Sequence, residues 1–320
     1  MKCAYCGREA RGTKEHIISS GILDLFPECY LTFDEKRGVI HQGDPMIKDV
    51  CADCNNNKIS YIDSYAKNFI GRYFVKNYGE DEQVKIEYDY TMIQKVLLKY
   101  AFNDLRSRRD DISYFDEELL QYLMNESNRV PKEYISVLAG LAVNVSPAPD
   151  FMFGNLKLRW CKNPVFYENS TIRHINYETG QVFLNDECKV QTFKDLEFSY
   201  AFRFNSVQFL LMCWKKDSEN IDTENIILKC QYPYTLLSKE ENVATLSLCT
   251  DESNYHRFEE YSGVRPHKEK INISKEIINK TRGAVAPYAA QIFTHLSVVS
   301  SRQRSYDWLR CEGLKNEMEM

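Results

Sequence analysis

Val50-Cys-Ala-Asp-Cys-Asn-Asn-Asn-Lys-Ile-Ser60 holds a Cys-x-x-Cys pair followed at once by polar residues of the kind that open a helix. A second pair, Cys3-Ala-Tyr-Cys6, stands near the N-terminus with Gly7 behind it, the composition of a tight knuckle turn. Zinc takes four Cys or His ligands in a tetrahedron, and the two-residue spacing lets both thiolates of a hook face one ion. The spacing therefore assigns Cys3, Cys6, Cys51 and Cys54 to a structural Zn²⁺ site; buried apolar thiols are the plain alternative. Between the hooks lies Lys14-Glu15-His16-Ile17-Ile18, whose β-branched end favours a short strand over residues 14–19.

The full length of 320 residues allows one large domain or two ordinary ones. A hydrophobic fraction of 43% with 13% aromatics is globular rather than disordered. A net charge of -5 gives no global attraction to nucleic acid, so any basic surface must be local. No apolar leader follows Met1. The longest apolar runs, near 137–145 and 207–214, fall far short of the ~20 residues of a membrane helix. These features predict a cytoplasmic protein with no membrane partner. Eleven cysteines then read as reduced thiols. Cys29, Cys161, Cys188, Cys213, Cys230, Cys249 and Cys311 show no pair spacing and are assigned to packing.

Apolar periodicity predicts a helix over 55–77, ended by Gly79, after a loop with one short strand at 38–41. A charged bridge (80–89) leads to helices over 92–108 and 115–125. On the first of these, Ile93, Val96, Leu97, Ala101 and Leu105 share a face. Ser146-Pro-Ala-Pro-Asp150 reads as a linker. Strands are expected within 151–161, at 171–176 and 181–184 as a hairpin, and at 196–204, 207–214, 225–230 and 243–249. Helices follow at 271–280, 284–296 and 306–315. The expected fold is α+β: a zinc-stapled module (1–79), a helical connector (80–148) and a larger, mainly antiparallel α+β domain (149–320).

Three residues near the hooks carry reactive chemistry. An imidazole titrating near neutrality suits activation of water. A hard divalent cation, which neutralises phosphate charge, wants carboxylate or carboxamide oxygens. Glu15 and His16 are neighbours on one strand, so their side chains face opposite ways. Asn55 directly follows a zinc ligand, where helix N-capping competes with a ligand role.

Taken together, Cys3-x-x-Cys6, Glu15-His16-Ile17-Ile18 and Val50-Cys51-x-x-Cys54-Asn55-Asn56 resemble the HNH endonucleases of ββα-metal type, over residues 1–75. The resemblance implies a nuclease module in which His16 is the general base. It makes Glu15 and Asn55 the protein ligands of a catalytic Mg²⁺ or Mn²⁺, and Lys58 a phosphate contact, with plain surface charge as the alternative for Lys58. The family's middle Asn is not at its usual place, where Met46 stands. His41, Asp44 or another loop residue is left to brace the catalytic loop. Glu15 stands where Asp is usual.

Residues 265–310 are locally basic, and Arg302 and Arg304 are candidate nucleic-acid contacts, against the plainer reading of a solvated helix face. Residues 151–262 are acidic and rich in Tyr and Phe, suited to specificity, sensing or partner docking. The expected function is a metal-dependent HNH endonuclease hydrolysing phosphodiester bonds, most readily in DNA. The expected setting is bacterial or phage defence, gated by the C-terminal domain. The alternative is a non-catalytic zinc-stapled nucleic-acid-binding module. Expected partners are nucleic acid, an activating ligand or protein on residues 149–320, and a second copy of the chain.

Overall fold

A computed structural model describes residues 1–26, 31–34, 39–42, 44–79, 81–142, 158–164, 166–168, 172–176, 181–184 and 189–249. The linker expected at 146–150 and the three helices expected after residue 270 lie outside these residues. The fold begins with an antiparallel ribbon of two strands distant in sequence. β1 (Gly12–His16) pairs with β4 (Met46–Cys51), Gly12 opposite Cys51 and His16 opposite Met46. The strands approach so closely at Gly12 that a Cβ there would lie 2.5 Å from the Lys48 carbonyl oxygen. Between them come a turn of helix, α1 (Ser20–Leu23), and a hairpin of β2 (Leu31–Asp34) with β3 (Val39–Gln42).

The helix expected over 55–77 is in fact two pieces. Cys54–Lys58 is a π-helical turn closed by Ile59 N–H on the Cys54 carbonyl at 3.0 Å, and α2 runs from Ser60 to Tyr73. The wide turn absorbs an extra residue. Cys51 and Cys54 can then face the thiol cluster while Ile59, Ile62, Ala66 and Ile70 all reach the core. The periodicity carried the core contacts and was blind to the local widening.

β5 (Val84–Glu87) lies inside the stretch expected to be a charged bridge and pairs with β15 (Val243–Leu246). α3 (Tyr90–Arg108) follows, capped by the Asp89 carboxylate, which accepts from Met92 N–H at 3.0 Å. The sequence predicted one apolar face. Instead every residue from Thr91 to Leu105 is buried, because Gln94, Lys95, Lys99, Asn103 and Asp104 each find partners inside the fold. α4 (Glu117–Met124) is capped by Asp116.

β6 (Ile135–Leu141) opens the main sheet, in a segment expected to be connector. Next come β7 (Leu158–Lys162), β8 (Tyr167–Glu168), and the expected hairpin of β9 (Ile172–Asn176) with β10 (Gln181–Leu184). β11 (Lys189–Val190) pairs with β8; β12 (Leu196–Phe204) and β13 (Val207–Trp214) form a second hairpin; α5 (Ile221–Gln231) and β14 (Thr235–Leu236) complete the order. The strand expected at 225–230 is thus helical: its β-branched run misled, and Glu224 and Leu228, one helical turn apart, are the buried pair.

The five-stranded sheet has the order β14-β6-β13-β12-β7, antiparallel throughout. Strand alternation divides its residues between two cores. Val137, Ala139, Phe209, Leu211 and Cys213 join the cluster shared with α2, α3 and the N-terminal ribbon. Leu138, Leu210, Met212 and Trp214 face Leu228 and Tyr232 on the other side. The first cluster extends from Cys3 to Leu246, across both boundaries expected from the sequence. The β12–β13 turn also caps α2: Asn205 Nδ2 donates to the Phe74 and Val75 carbonyls at 2.9 Å, satisfying backbone oxygens at the helix end. No described helix is long and apolar enough to cross a membrane.

Lys95 is fully buried, and its ammonium donates to three neutral oxygens: Tyr61 Oη at 3.1 Å and the Asn125 and Asn128 carbonyls at 2.8 Å. Desolvation brings its pKa down to about 8. The unfolded chain therefore binds more protons than the native one between about pH 8 and the ordinary lysine range, so stability rises with pH there. Urea midpoints measured from pH 7.5 to 9.5 are expected to climb in the wild type relative to Lys95→Met.

Candidate metal centre and the reactive strand end

The knuckle turn at Cys3–Cys6 is closed by Gly7 N–H on the Cys3 carbonyl at 3.0 Å, with Gly7 at φ 69°, where glycine is at ease. β4 brings in Cys51, and the π-helical turn brings in Cys54. The four sulfurs all lie within 4.8 Å of one another, so Cys3, Cys6, Cys51 and Cys54 form a cluster that can hold a metal ion such as zinc. Cys6 Sγ and Cys51 Sγ are 3.8 Å apart. A tetrahedron with Zn–S arms of ~2.3 Å has an edge of about 3.8 Å, so the donor set fits zinc in both chemistry and size. Burial pushes the Cys6 thiol up, but hydrogen bonds from Arg8 outweigh it and bring the thiol down to about 6, readying a thiolate. Burial pushes the Cys54 thiol up, and there nothing offsets it. Arg8 Nη2 also reaches Asp53 Oδ2 at 2.6 Å and so ties one hook to the other.

The remaining described cysteines behave differently. Cys213 and Cys249 are buried packing residues as expected and Cys161 is half-buried, but Cys230 is exposed. It sits on the outer face of α5, a consequence of the helix that replaces the expected strand. Cys29, Cys188 and Cys311 lie outside the described residues.

The ribbon places the other candidates around the end of β1. Strand alternation sends Glu15 and His16 to opposite faces, as expected, and it is Glu15 that points inward and His16 outward. His16 keeps a quarter of its side-chain surface, and its Nε2 lies 3.2 Å from Asp44 Oδ2. Asp44 precedes β4 and is exposed. The side chain of Asn55 is not a cap: its Nδ2 donates to Thr13 Oγ1 and to the Lys14 carbonyl, both at 3.0 Å, fastening the π-helical turn to β1. Those bonds commit the amide nitrogen and leave Oδ1 as the oxygen available to a ligand. Lys58 is partly exposed and 3.7 Å from Asp53. Arg302 and Arg304 lie outside the described residues.

Glu15 is only 3% exposed. Its Oε1 is 2.8 Å from Lys99 Nζ, and the same ammonium lies 2.6 Å from both oxygens of Asp63 on α2. Burial alone would lower Lys99, but Asp63 and Glu15 more than offset it and hold the ammonium above its ordinary range. Asn103 Nδ2 also donates to Glu15 Oε1, at 3.3 Å. Both contacts fall on one oxygen of the carboxylate. Asn55, Asp44 and Glu15 each carry an oxygen of the kind a hard divalent ion takes, but among the described residues the four cysteines are the only group of three or more His, Cys, Asp or Glu gathered closely enough to hold one ion. For Glu15, a lysine already offsets part of the charge.

Sequence reasoning missed Lys99, Asp63, Asn103 and Arg106. For the three on α3 the signal was a polar row at 95, 99, 103 and 106 along one stripe of an apolar helix, which ordinarily marks a solvated face; Asp63, on α2, had no such signal. No family model, curated protein or solved structure matches the chain.

Two outcomes follow from this geometry. The purified chain is expected to carry about one Zn²⁺ per molecule by elemental analysis, and Cys51→Ser to carry none. Lys99→Met leaves the buried Glu15 carboxylate facing the half-buried Asp63 carboxylate with no cation between them and is expected to lose about 3–5 kcal/mol of stability by urea denaturation.

Proposed function

We propose that the chain is a metal-dependent endonuclease of HNH type that hydrolyses phosphodiester bonds, with DNA as the first substrate to test. The observation that supports this best is the position of His16 beside Asp44 at one end of the β1–β4 ribbon, whose other end carries Cys51 of the four-thiol cluster and leads through Asn55 into α2. Strand, strand and helix follow in the order the motif requires.

In this reading Asp44 accepts the Nε2 proton of His16. The tautomer is set by that partner, and Nδ1 becomes the basic nitrogen. His16 takes a proton from water, the water oxygen attacks phosphorus, the bond from phosphorus to the 3′ oxygen breaks, and that oxygen takes a proton from a solvent water, giving a 5′-phosphate and a 3′-hydroxyl. Asp44 orients the ring and stabilises the imidazolium that forms. Mg²⁺ or Mn²⁺, held by Asn55 and Glu15, would supply neutralisation of charge on the phosphate and the leaving oxygen. Lys58, partly exposed and 3.7 Å from Asp53, would meet a phosphate in exchange for that carboxylate.

One observation favours a second reading. Glu15 is already neutralised by Lys99, as befits a structural carboxylate in a non-catalytic, zinc-stapled nucleic-acid-binding module. A plasmid assay with a divalent-metal panel separates the two: the binding module cuts nothing and binds DNA equally well as Glu15→Ala.

Activation by a ligand or partner is to be sought with the full chain, because β12 and β13 pack into the same core as the module. Under the nuclease reading, His16→Ala abolishes cutting with zinc content unchanged. Asp44→Asn lowers kcat by about 10²- to 10⁴-fold, the usual worth of positioned acid–base catalysis. A His16→Ala protein that cuts as fast as wild type sinks the assignment.

A further inference from the structure

β1 ends at His16, and beyond it the carbonyls of His16 and Ile17 leave the ladder with β4. Buried carbonyls need donors. A single side chain supplies them: Asn103 of α3, fully buried, donates from Nδ2 to the His16 carbonyl at 2.9 Å, the Ile17 carbonyl at 3.4 Å and Glu15 Oε1 at 3.3 Å. Its Oδ1 accepts from Tyr5 Oη at 3.2 Å and from Arg106 Nη2. The partners fix which way the amide points. Turned over, its NH₂ would face a hydroxyl and a guanidinium, and its oxygen would face three other oxygens.

Each partner has a fixed place. Tyr5 lies between the thiols of the first hook, and Arg106 is ion-paired to Asp49 of β4 and stacks over the Tyr5 and Phe102 rings at 5.3 and 4.3 Å. The next residue, Asp104, accepts from Trp160 Nε1 and Tyr200 Oη, both at 2.9 Å, and so locks α3 to the main sheet. Neighbouring residues of α3 thus bind the sheet and the strand end.

We propose that Asn103 is a positioning residue, which holds the Glu15–His16–Ile17 backbone in register with the thiol cluster and gives the strand end its place relative to the main sheet. The inference concerns the geometry of the strand end; only its kinetic consequence rests on the nuclease reading.

Asn103→Asp keeps the shape and the acceptor side and removes the donors; Asn103→Ser is the second variant if the added charge prevents folding. Thr91→Val is the control. It deletes another buried α3 hydrogen bond, Thr91 Oγ1 to the Arg129 carbonyl at 2.8 Å, far along the helix from Asn103. Amide hydrogen exchange on the zinc-loaded full chain is the first measurement. Residues 15–18 are expected to exchange about tenfold faster in the Asn103 variant, the worth of a lost buried hydrogen bond, with residues 50–54 unchanged. In the plasmid assay kcat falls about 100-fold at unchanged KM, as for a reacting group displaced by an ångström.

Exchange at 15–18 that matches the Thr91→Val control overturns the inference. So does faster exchange with undiminished kcat. A wild-type chain that cuts no plasmid with any divalent ion removes the nuclease reading instead, and the inference is then judged by exchange alone.

Discussion

A lysine with no exposed surface lies between two carboxylates from different elements, and much of the fold is arranged to make that tolerable. Stripped of water, the Lys99 ammonium would be driven to neutrality. Glu15 from the ribbon and Asp63 from α2 keep it charged, so α2, α3 and β1 are held together by a contact none can leave without stranding a buried charge. Such triads are not in themselves a large source of net stability. Their value here is specificity: an apolar α3 could slide or rotate against the ribbon at small cost, whereas this one has a single setting.

The same helix joins the N-terminal ribbon to the main sheet. Lys99, Asn103 and Arg106 meet the ribbon, while Asp104 meets Trp160 and Tyr200 of the sheet. A thiol cluster can fold a small knuckle unaided, but it says little about how a strand end some residues away is presented. That presentation comes from α3, a segment that looked like connector. The ribbon and the main sheet accordingly share one core rather than touching as separate bodies.

Several features were readable from residue order because they rest on local spacing. Two Cys-x-x-Cys hooks imply a common site whatever lies between them, and the four sulfurs do converge. Glu15 and His16 face opposite ways because strand geometry demands it. The strands at 196–204 and 207–214 follow from the alternating aromatics Phe198, Tyr200, Phe202 and Phe204 and from the apolar run after Val207, on either side of Asn205-Ser206, a turn that Asn at φ 49° accommodates.

Other features had no local signal. β6 and β5 were hidden because a fully buried strand has no alternation, and a charged edge strand looks like a loop. α5 was mistaken for a strand because Ile226 and Ile227 are β-branched, while its burial is set by Leu228 against the sheet.

The sequence by itself determined the thiol cluster and the opposite facing of Glu15 and His16, since both depend only on spacing and on the period of a strand. Only the tertiary structure decided what Glu15 faces, what holds His16 in place, and what the polar stripe of α3 is for. Lys99, Asp63, Asn103 and Asp44 become partners of that strand end through long-range contacts. Whether a polar residue is solvated or buried depends on what packs over it, and no local pattern records that.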